Sequence, residues 1–409
     1  MRKVQTLYCT SCRFSLIKLI LTYRHTHTHT ISTIRGPSIN VHRVARNGRN
    51  FEYLSGEDPY LGEVLTRAYV EGVQSRGVGC VAKHFVFNQQ ETNRQTESSV
   101  VDERTAHELY YPPFRAAVEA GVTGIMCSYN KISGVPSCSN EPTLLGVLRD
   151  ELKFRGFVQS DWWANHETAS VTKGLDQDMP GTDGYFTASN LEKLNDTEAA
   201  VDNAVTNLLA GMYHMNVFNT TRCTAPAKDG CLGANVTSNK HRDLAERLAT
   251  ESIVLLRNVN DVLPIRNIDK KIAVIGSVAS SKQKDPFWFL HWFNEGDYYS
   301  GGGSGHVTAS SVKTPLEVSI FFSLFCHTQS YHFTSHTPNT QGIIEGVADK
   351  NNVIISDTDD VESAVKAAQE ADITIVIAGC TSGKRFNVFL TLLLTHSLTH
   401  SLTHTYIHT

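Results

Sequence analysis

Polar residues gather where three stretches of this chain stop being apolar. Gly156-Phe157-Val158 runs into Gln159-Ser160-Asp161-Trp162-Trp163. The run 78–82 stops at Lys83-His84, the run 122–126 stops near Ser128-Tyr129-Asn130, and Arg49 stands close to the start of the patterned region. A carboxylate, flat aromatic faces, an imidazole and two cations are thus placed in a regular order. A sugar needs several donors for its hydroxyls, an aromatic surface beside its ring and a carboxylate at C1, and this set offers each. Singly, the residues have plainer readings. Asp161 can cap the next helix, Lys83 can be a solvated charge, His84 a satisfied core imidazole, and Arg49 a partner for Glu52 or Glu57. Order and spacing taken together favour a site.

The elements that must position these residues follow from periodicity. Residues 61–76 read as a helix closing at Gly77, and 78–82 as a strand buried on both faces. Residues 102–120 read as one helix, with Asp102 as N-cap and Gly121 past its end. A strand over 122–126, a helix over 142–152 and the strand leading into Asp161 complete the series. Strand–helix–strand units with polar groups at the strand ends indicate a parallel sheet of the barrel kind.

A linker carrying Cys223 and Cys231 leads to a helix over 241–256, whose apolar side would be Leu244, Leu248, Ile253, Leu255 and Leu256. A second α/β unit opens at Lys271-Ile272-Ala273-Val274-Ile275-Gly276, with a helix over 360–371 and a strand over 373–379. Gly276 lacks a following G-x-x-G, which argues against dinucleotide binding.

A net charge of −4 leaves no nucleic-acid footprint, and no run is long and apolar enough to span a bilayer. Nine cysteines in 409 residues do not make a disulfide scaffold. The pairs Cys127/Cys138 and Cys223/Cys231 could each close a short surface loop, and Asn195, Asn219 and Asn235 head glycosylation sequons. These lean toward a secreted, endomembrane or vacuolar protein, although no clear signal peptide opens the chain.

Three stretches differ from the rest: residues 1–35 with the repeat His25-Thr26-His27-Thr28-His29-Thr30, residues 321–341, and residues 388–409 with repeated Thr-His-Ser-Leu. The periods of the two ends match translated simple-sequence DNA, 321–341 is Phe-rich then His/Ser/Thr-rich and interrupts a regular α/β pattern, and the expectation is that they are introns read through rather than His-rich metal tails. With the family resemblance described next, the domains expected are 36–230, a barrel-type domain lacking its opening strands, a linker and helix over 231–250, and a truncated α/β sandwich domain over 251–387. An incomplete barrel exposes a strand edge and predicts poor solubility.

Six ordered motifs resemble glycoside hydrolase family 3, the β-glucosidase-like enzymes. They are Asn47 to Pro59 (N-G-R-N-F-E-Y-L-S-G-E-D-P), Lys83-His84-Phe85, Met126-Cys127-Ser128-Tyr129-Asn130, Ser160-Asp161-Trp162, Asp178-Met179-Pro180-Gly181, and Gly301-Gly302-Gly303-Ser304-Gly305. The resemblance implies a partial (β/α)8 TIM-type barrel followed by a partial α/β sandwich. It implies retaining hydrolysis of terminal non-reducing β-D-glycosyl residues, foremost β-D-glucosyl, with xylosides or arabinosides as alternatives. The N-acetylglucosaminidase branch fits less well, because Lys83-His84-Phe85 continues as Val86-Phe87-Asn88. By resemblance Asp161 is the nucleophile, and Arg49, Lys83, His84, Met126, Tyr129, Trp162 and Ser304 bind the substrate. The expected partner is a β-glycoside, and neither metal nor organic cofactor is required.

One departure bears on activity. The family's acid/base glutamate is expected just after Thr381-Ser382-Gly383, where this sequence has Lys384-Arg385, and no Asp or Glu follows Asp372. An ammonium cannot protonate a leaving oxygen as a neutral carboxyl does. The expectation is an impaired enzyme, or a sugar-binding remnant.

Overall fold

The apolar runs form the strands, and polar caps set the helices between them. The computed structural model describes residues 33–44, 47, 49–195, 197–219, 237–261, 263, 265, 270–282, 299, 305, 312, 314–318, 352–379 and 390–396. The chain divides into two compact units, Met1–Asn235 and Val236–Thr409.

The first unit has seven strands: β1 (Thr33–Ile34), β2 (Gly79–Phe85), β3 (Ser98–Ser99), β4 (Gly124–Cys127), β5 (Lys131–Ile132), β6 (Val135–Pro136) and β7 (Phe157–Ser160). The principal sheet is parallel in the order β1-β2-β4-β7, in register Val81 with Gly124 and Gly124 with Phe157. A parallel bridge from Gln159 to Gln177 begins a further rung beyond β7. Among the described residues this sheet is an open arc, and no ladder joins β1 to its far edge. The short strands β3, β5 and β6 make a separate three-stranded sheet over the C-terminal end of β2.

β2 and β7 are buried along their whole length, as continuous apolar strands between two layers must be. β2 extends further than expected, so Lys83 and His84 lie within the strand rather than past it. The first helix spans Pro59–Gln74, two residues ahead of expectation. Asp58 accepts from the N–H of Tyr60 at 2.9 Å and Pro59 takes the first helical position, where no N–H is needed. Its buried face is Gly62, Thr66 and Val70, set against the helix Pro112–Glu119. A Cβ on Gly62 would stand 2.8 Å from Pro113 Cγ, so the two helices meet only because that side chain is absent. The single helix expected over 102–120 is divided. Asp102 caps Glu103–Thr105 as expected, a wider π-type segment covers Ala106–Tyr110, and a new helix starts at Pro112. Pro112 and Pro113 have no N–H to donate to the preceding turn, which forces the break.

The core of this unit joins Phe85 and Phe114 edge to face with Ile125, Met126, Leu144, Leu148 and Phe154. Cys127 and Cys138 form a disulfide with both residues fully buried, while the tip of the short loop it closes, Ser133 to Val135, is exposed.

The second unit has β8 (Ile272–Ile275), β9 (Val353–Ser356), β10 (Ile373–Gly379) and β11 (Leu390–His396) in the order β11-β10-β8-β9. The first three are parallel, and β11 runs antiparallel to β10. A Cβ at Gly276, where φ is 115°, would lie 2.1 Å from Ile377 O, so β8 can end against β10 only with glycine there. Asp360 caps the helix Val361–Gln369 by accepting from Ser363 N at 2.8 Å. The helix expected over 241–256 spans Asn239–Glu251, and Leu244, Leu248, Ile253, Leu255 and Leu256 are exposed instead of forming a packed side. No helix among the described residues is long and apolar enough to cross a membrane.

Two outer strands use residues of the stretches expected to be foreign to the fold. β1 lies within 1–35 and β11 within 388–409. Pairing at a sheet edge needs only backbone N–H and C=O, so it places little demand on side-chain type. Ser304, the pair Cys223/Cys231, Asn235, Thr381 to Arg385 and the stretch 321–341 lie outside the described residues.

Candidate active site

Asp161 follows β7 at the C-terminal end of the parallel sheet, the end at which Lys83-His84 of β2 and Tyr129 beyond β4 also stand. Arg49 comes from the loop after β1, directly before the short 3-10 turn Asn50–Glu52. The structure brings Arg49, Lys83, His84, Tyr129 and Asp161 together, all buried.

A regular strand would send Lys83 and His84 to opposite faces. β2 instead carries a bulge: Lys83 pairs with Met126 and Phe85 with Cys127, leaving His84 as the extra residue. Bulges re-aim side chains in this way. Lys83 Nζ then lies 3.6 Å from Glu52 Oε2, and His84 Nε2 lies 3.3 Å from Asp161 Oδ2. The bulged peptide has no ladder partner, and a single side chain takes its place. Asn40 Oδ1 accepts from His84 N at 2.7 Å, while Asn40 Nδ2 donates to His84 O at 3.0 Å. Buried backbone groups need such partners.

Charges in the site are arranged in a chain. Arg49 is hydrogen-bonded through Nε to Glu52 and donates from Nη2 to His84 Nε2 at 2.9 Å. A guanidinium has no acceptor, so Nε2 of His84 must offer its lone pair, and the proton sits on Nδ1, which faces Tyr53 Oη at 3.3 Å. Burial first, then the charge of Arg49, pushes the His84 ring down to about 4, so the ring is neutral at pH 7. Burial alone would raise Glu52, but Arg49 and Lys83 bring it to about 2. Burial lowers Lys83, and the Glu52 carboxylate opposes this.

The Asp161 carboxyl is held well below the usual range. Burial works against that shift and is outweighed by the positive field of the Arg49 guanidinium and by the N–H of Trp162. Its two oxygens differ. Oδ1 accepts from Tyr129 Oη at 3.1 Å and from Trp162 N at 2.8 Å. Oδ2 is buried and has no hydrogen-bond donor. The His84 nitrogen near it presents a lone pair while the ring is neutral, so that 3.3 Å approach is not a hydrogen bond. A carboxylate with one oxygen anchored and the other bare is disposed to attack an electrophile.

The remaining expected residues are placed as follows. Met126 is buried in the core, in register between Lys83 and Gln159. Trp162 borders the site, with the Arg35 guanidinium over its ring at 4.4 Å. Trp163 turns outward, half exposed, and donates to Thr182 Oγ1. Sequence reasoning did not single out Asn40, Tyr53, Glu91 or Arg94. Glu91 is buried and pairs with Arg94 at 2.7 Å, and Arg94 lies over the Tyr129 ring at 3.8 Å. The polar run Asn88 to Arg94, directly after a buried strand, was the available signal. The other site carboxylates, Glu52 and Glu91, are both engaged by arginine. Among the described residues no group of His, Cys, Asp and Glu has the composition of a metal site.

Comparison with known proteins gives the family. Residues 24–211 match the glycosyl hydrolase family 3 N terminal domain, and residues 253–396 match the C-terminal domain of the same family. The chain belongs to glycosyl hydrolase family 3. A probable beta-glucosidase L of Aspergillus terreus is 36% identical over 358 residues, covering 84% of this chain and 45% of that protein. The crystal structure of a beta-D-glucoside glucohydrolase from Trichoderma reesei is similar with a TM-score of 0.65 and 33% identity, over 84% of this chain and 46% of the other. A beta-glucosidase from Streptomyces venezuelae, solved in complex with D-glucose, is 34% identical with a TM-score of 0.56, over 70% of this chain and 36% of the other. This family 3 chain therefore spans about half the length, or less, of the relatives it matches.

Proposed function

We propose that the first unit binds the terminal β-D-glucosyl residue of a glycoside and that Asp161 is its nucleophile. The observation that carries the proposal is the asymmetry of that carboxylate, with Oδ1 held by Tyr129 and Trp162 and Oδ2 bare. In this reading Oδ2 attacks the anomeric carbon, the bond to the leaving oxygen breaks, and a β-linked sugar becomes an α-linked ester on Asp161. Water then releases the sugar with net retention. Arg49, Lys83 and His84 hold the sugar hydroxyls, Trp162 walls the ring, and the four-stranded arc is part of a (β/α) barrel.

Protonation of a poor leaving group is the step this chain is least equipped for. Lys384-Arg385 stand where the resemblance places the acid/base glutamate, and Glu52 and Glu91 are tied to arginines. This favours a second reading, in which natural glycosides are bound but turned over slowly. The buried Cys127–Cys138 disulfide supports an oxidising compartment for the protein.

A substrate that needs no acid tests the nucleophile by itself. Treatment with 2,4-dinitrophenyl 2-deoxy-2-fluoro-β-D-glucoside should add one fluoroglucosyl group, located on Asp161 by peptide mass spectrometry and absent in Asp161→Asn. An unmodified wild-type chain, or a label elsewhere, would overturn the assignment.

A further inference from the structure

The loop after β2 reaches back to the site through a residue outside the six motifs. Glu91 is deeply buried, takes an Asn88 hydrogen bond and binds Arg94 Nη1 at 2.7 Å. That contact lays the Arg94 guanidinium over the Tyr129 ring, with Cζ 3.8 Å from the centroid. The same tyrosine donates from Oη to Asp161 Oδ1 at 3.1 Å. Four side chains thus connect in series, and only the last faces the position where a sugar would react.

We propose that Arg94 is a positioning residue for Asp161, acting through Tyr129. This rests on the reading of Asp161 as nucleophile. A cation on the face of a phenol draws density from the ring and makes its O–H a stronger donor. A flat guanidinium also blocks rotation of the ring out of line. Both effects keep Oδ1 occupied, so the carboxylate cannot swing, and Oδ2 stays the oxygen without a donor. Lysine would keep the charge without the plate, and is not equivalent at a stacked site. Glu91 holds Arg94 in place and is itself 3.9 Å from Arg49, which ties this arm to the sugar-facing cations.

A double-mutant cycle on the full chain, read by the rate of fluoroglucosyl labelling, tests this. Arg94→Ala should slow labelling about tenfold, the order of a desolvated cation–π contact, with Arg94→Lys recovering part of it. In a Tyr129→Phe background the same Arg94→Ala change should have little further effect. Equal effects in both backgrounds would make Arg94 a loop anchor and overturn the proposal.

A second readout needs no chemistry. With tyrosine labelled at 13Cζ and the Tyr129 signal identified by Tyr129→Phe, Asp161→Asn should shift that signal in wild type and leave it nearly unmoved in Arg94→Ala. Equal shifts with and without Arg94 would again overturn the proposal. A wild-type chain that resists labelling yet shows the Arg94-dependent shift would defeat the nucleophile reading while upholding the contact.

Discussion

Arg49 and His84 meet nitrogen to nitrogen, Nη2 to Nε2 at 2.9 Å. Since the guanidinium can only donate, this contact fixes the His84 tautomer, keeps the ring neutral and denies Asp161 Oδ2 a donor from it. A residue that would be read as a sugar ligand therefore also controls which carboxylate oxygen stays bare.

The acid limb of labelling should accordingly report His84 and not Asp161. As the pH falls through about 4, Nε2 takes a proton, can no longer accept from Arg49, and can donate to Oδ2. Labelling by the dinitrophenyl fluoroglucoside should drop across that range, because its leaving group adds no titration of its own. His84→Gln keeps an acceptor near Arg49 without titrating, and should carry the limb to lower pH. An unchanged limb in that variant would assign the titration to another group.

Stability should follow the same groups. His84 lies at about 4 against an ordinary 6.5, and Glu52 at about 2 against 4.5. Between the lowered and ordinary values the unfolded chain binds protons that the native site refuses. The share of stability carried by these two groups is therefore full above about pH 6.5 and falls as the pH drops, first through His84 and then through Glu52, while the buried Asp176 and Asp178, raised to about 6, work in the opposite direction over the same range. The His84 share is on the order of 3 kcal/mol, taken from the size of its shift. Between pH 7 and pH 4 the melting temperature of the wild type should fall relative to that of His84→Asn, a difference in which the aspartates cancel. Parallel curves would refute the assignment.

The strand ends were legible because buried parallel strands read as apolar runs, and the polar residue after each run stands out. Lys83, His84, Tyr129 and Asp161 were found that way. The bulge was not legible, since nothing in G-C-V-A-K-H-F marks His84 as an extra residue, and its amide partner Asn40 is 44 residues away. Arg94 was hidden for a related reason: its role depends on a ring that the chain delivers from a different strand. The divided helix at Pro112-Pro113 was readable and was passed over for the longer periodicity. At Thr33–Ile34 and Leu390–His396 the reading of repeats as foreign met a rule of backbone pairing, and an open edge accepts either sequence.

The Cys127–Cys138 bridge spans 11 positions and brackets Ser128, Tyr129 and Asn130. Closing a loop of that size stabilises a fold by about 2–3 kcal/mol. Cys138→Ser should lower the melting temperature accordingly, and should also slow labelling, because the segment it frees carries the Tyr129 donor to Asp161. Reduction of the wild type under mild denaturation should reproduce both effects. A variant with lower stability but an unaltered labelling rate would show that the tyrosine is held by its other contacts alone.

Arg49→Ala separates charge from packing more sharply. It leaves Glu52 with the 3.6 Å contact to Lys83 and the 3.3 Å hydrogen bond from Ser38 Oγ, and removes the donor on His84 Nε2. Breaking a buried ion pair from one side costs about 3–5 kcal/mol. The His84 ring should at the same time titrate at a higher pH than about 4, because the second-largest influence depressing it, after burial, is the Arg49 charge. A protonated His84 would then reach Oδ2 at a milder pH, and the acid limb of labelling should move up while its plateau falls. Histidine NMR titration against the labelling profile checks both halves. A destabilised Arg49→Ala protein whose His84 still titrates near 4 would leave burial and the Lys83 charge as the causes of the neutral ring, and would remove Arg49 from control of the Asp161 oxygens.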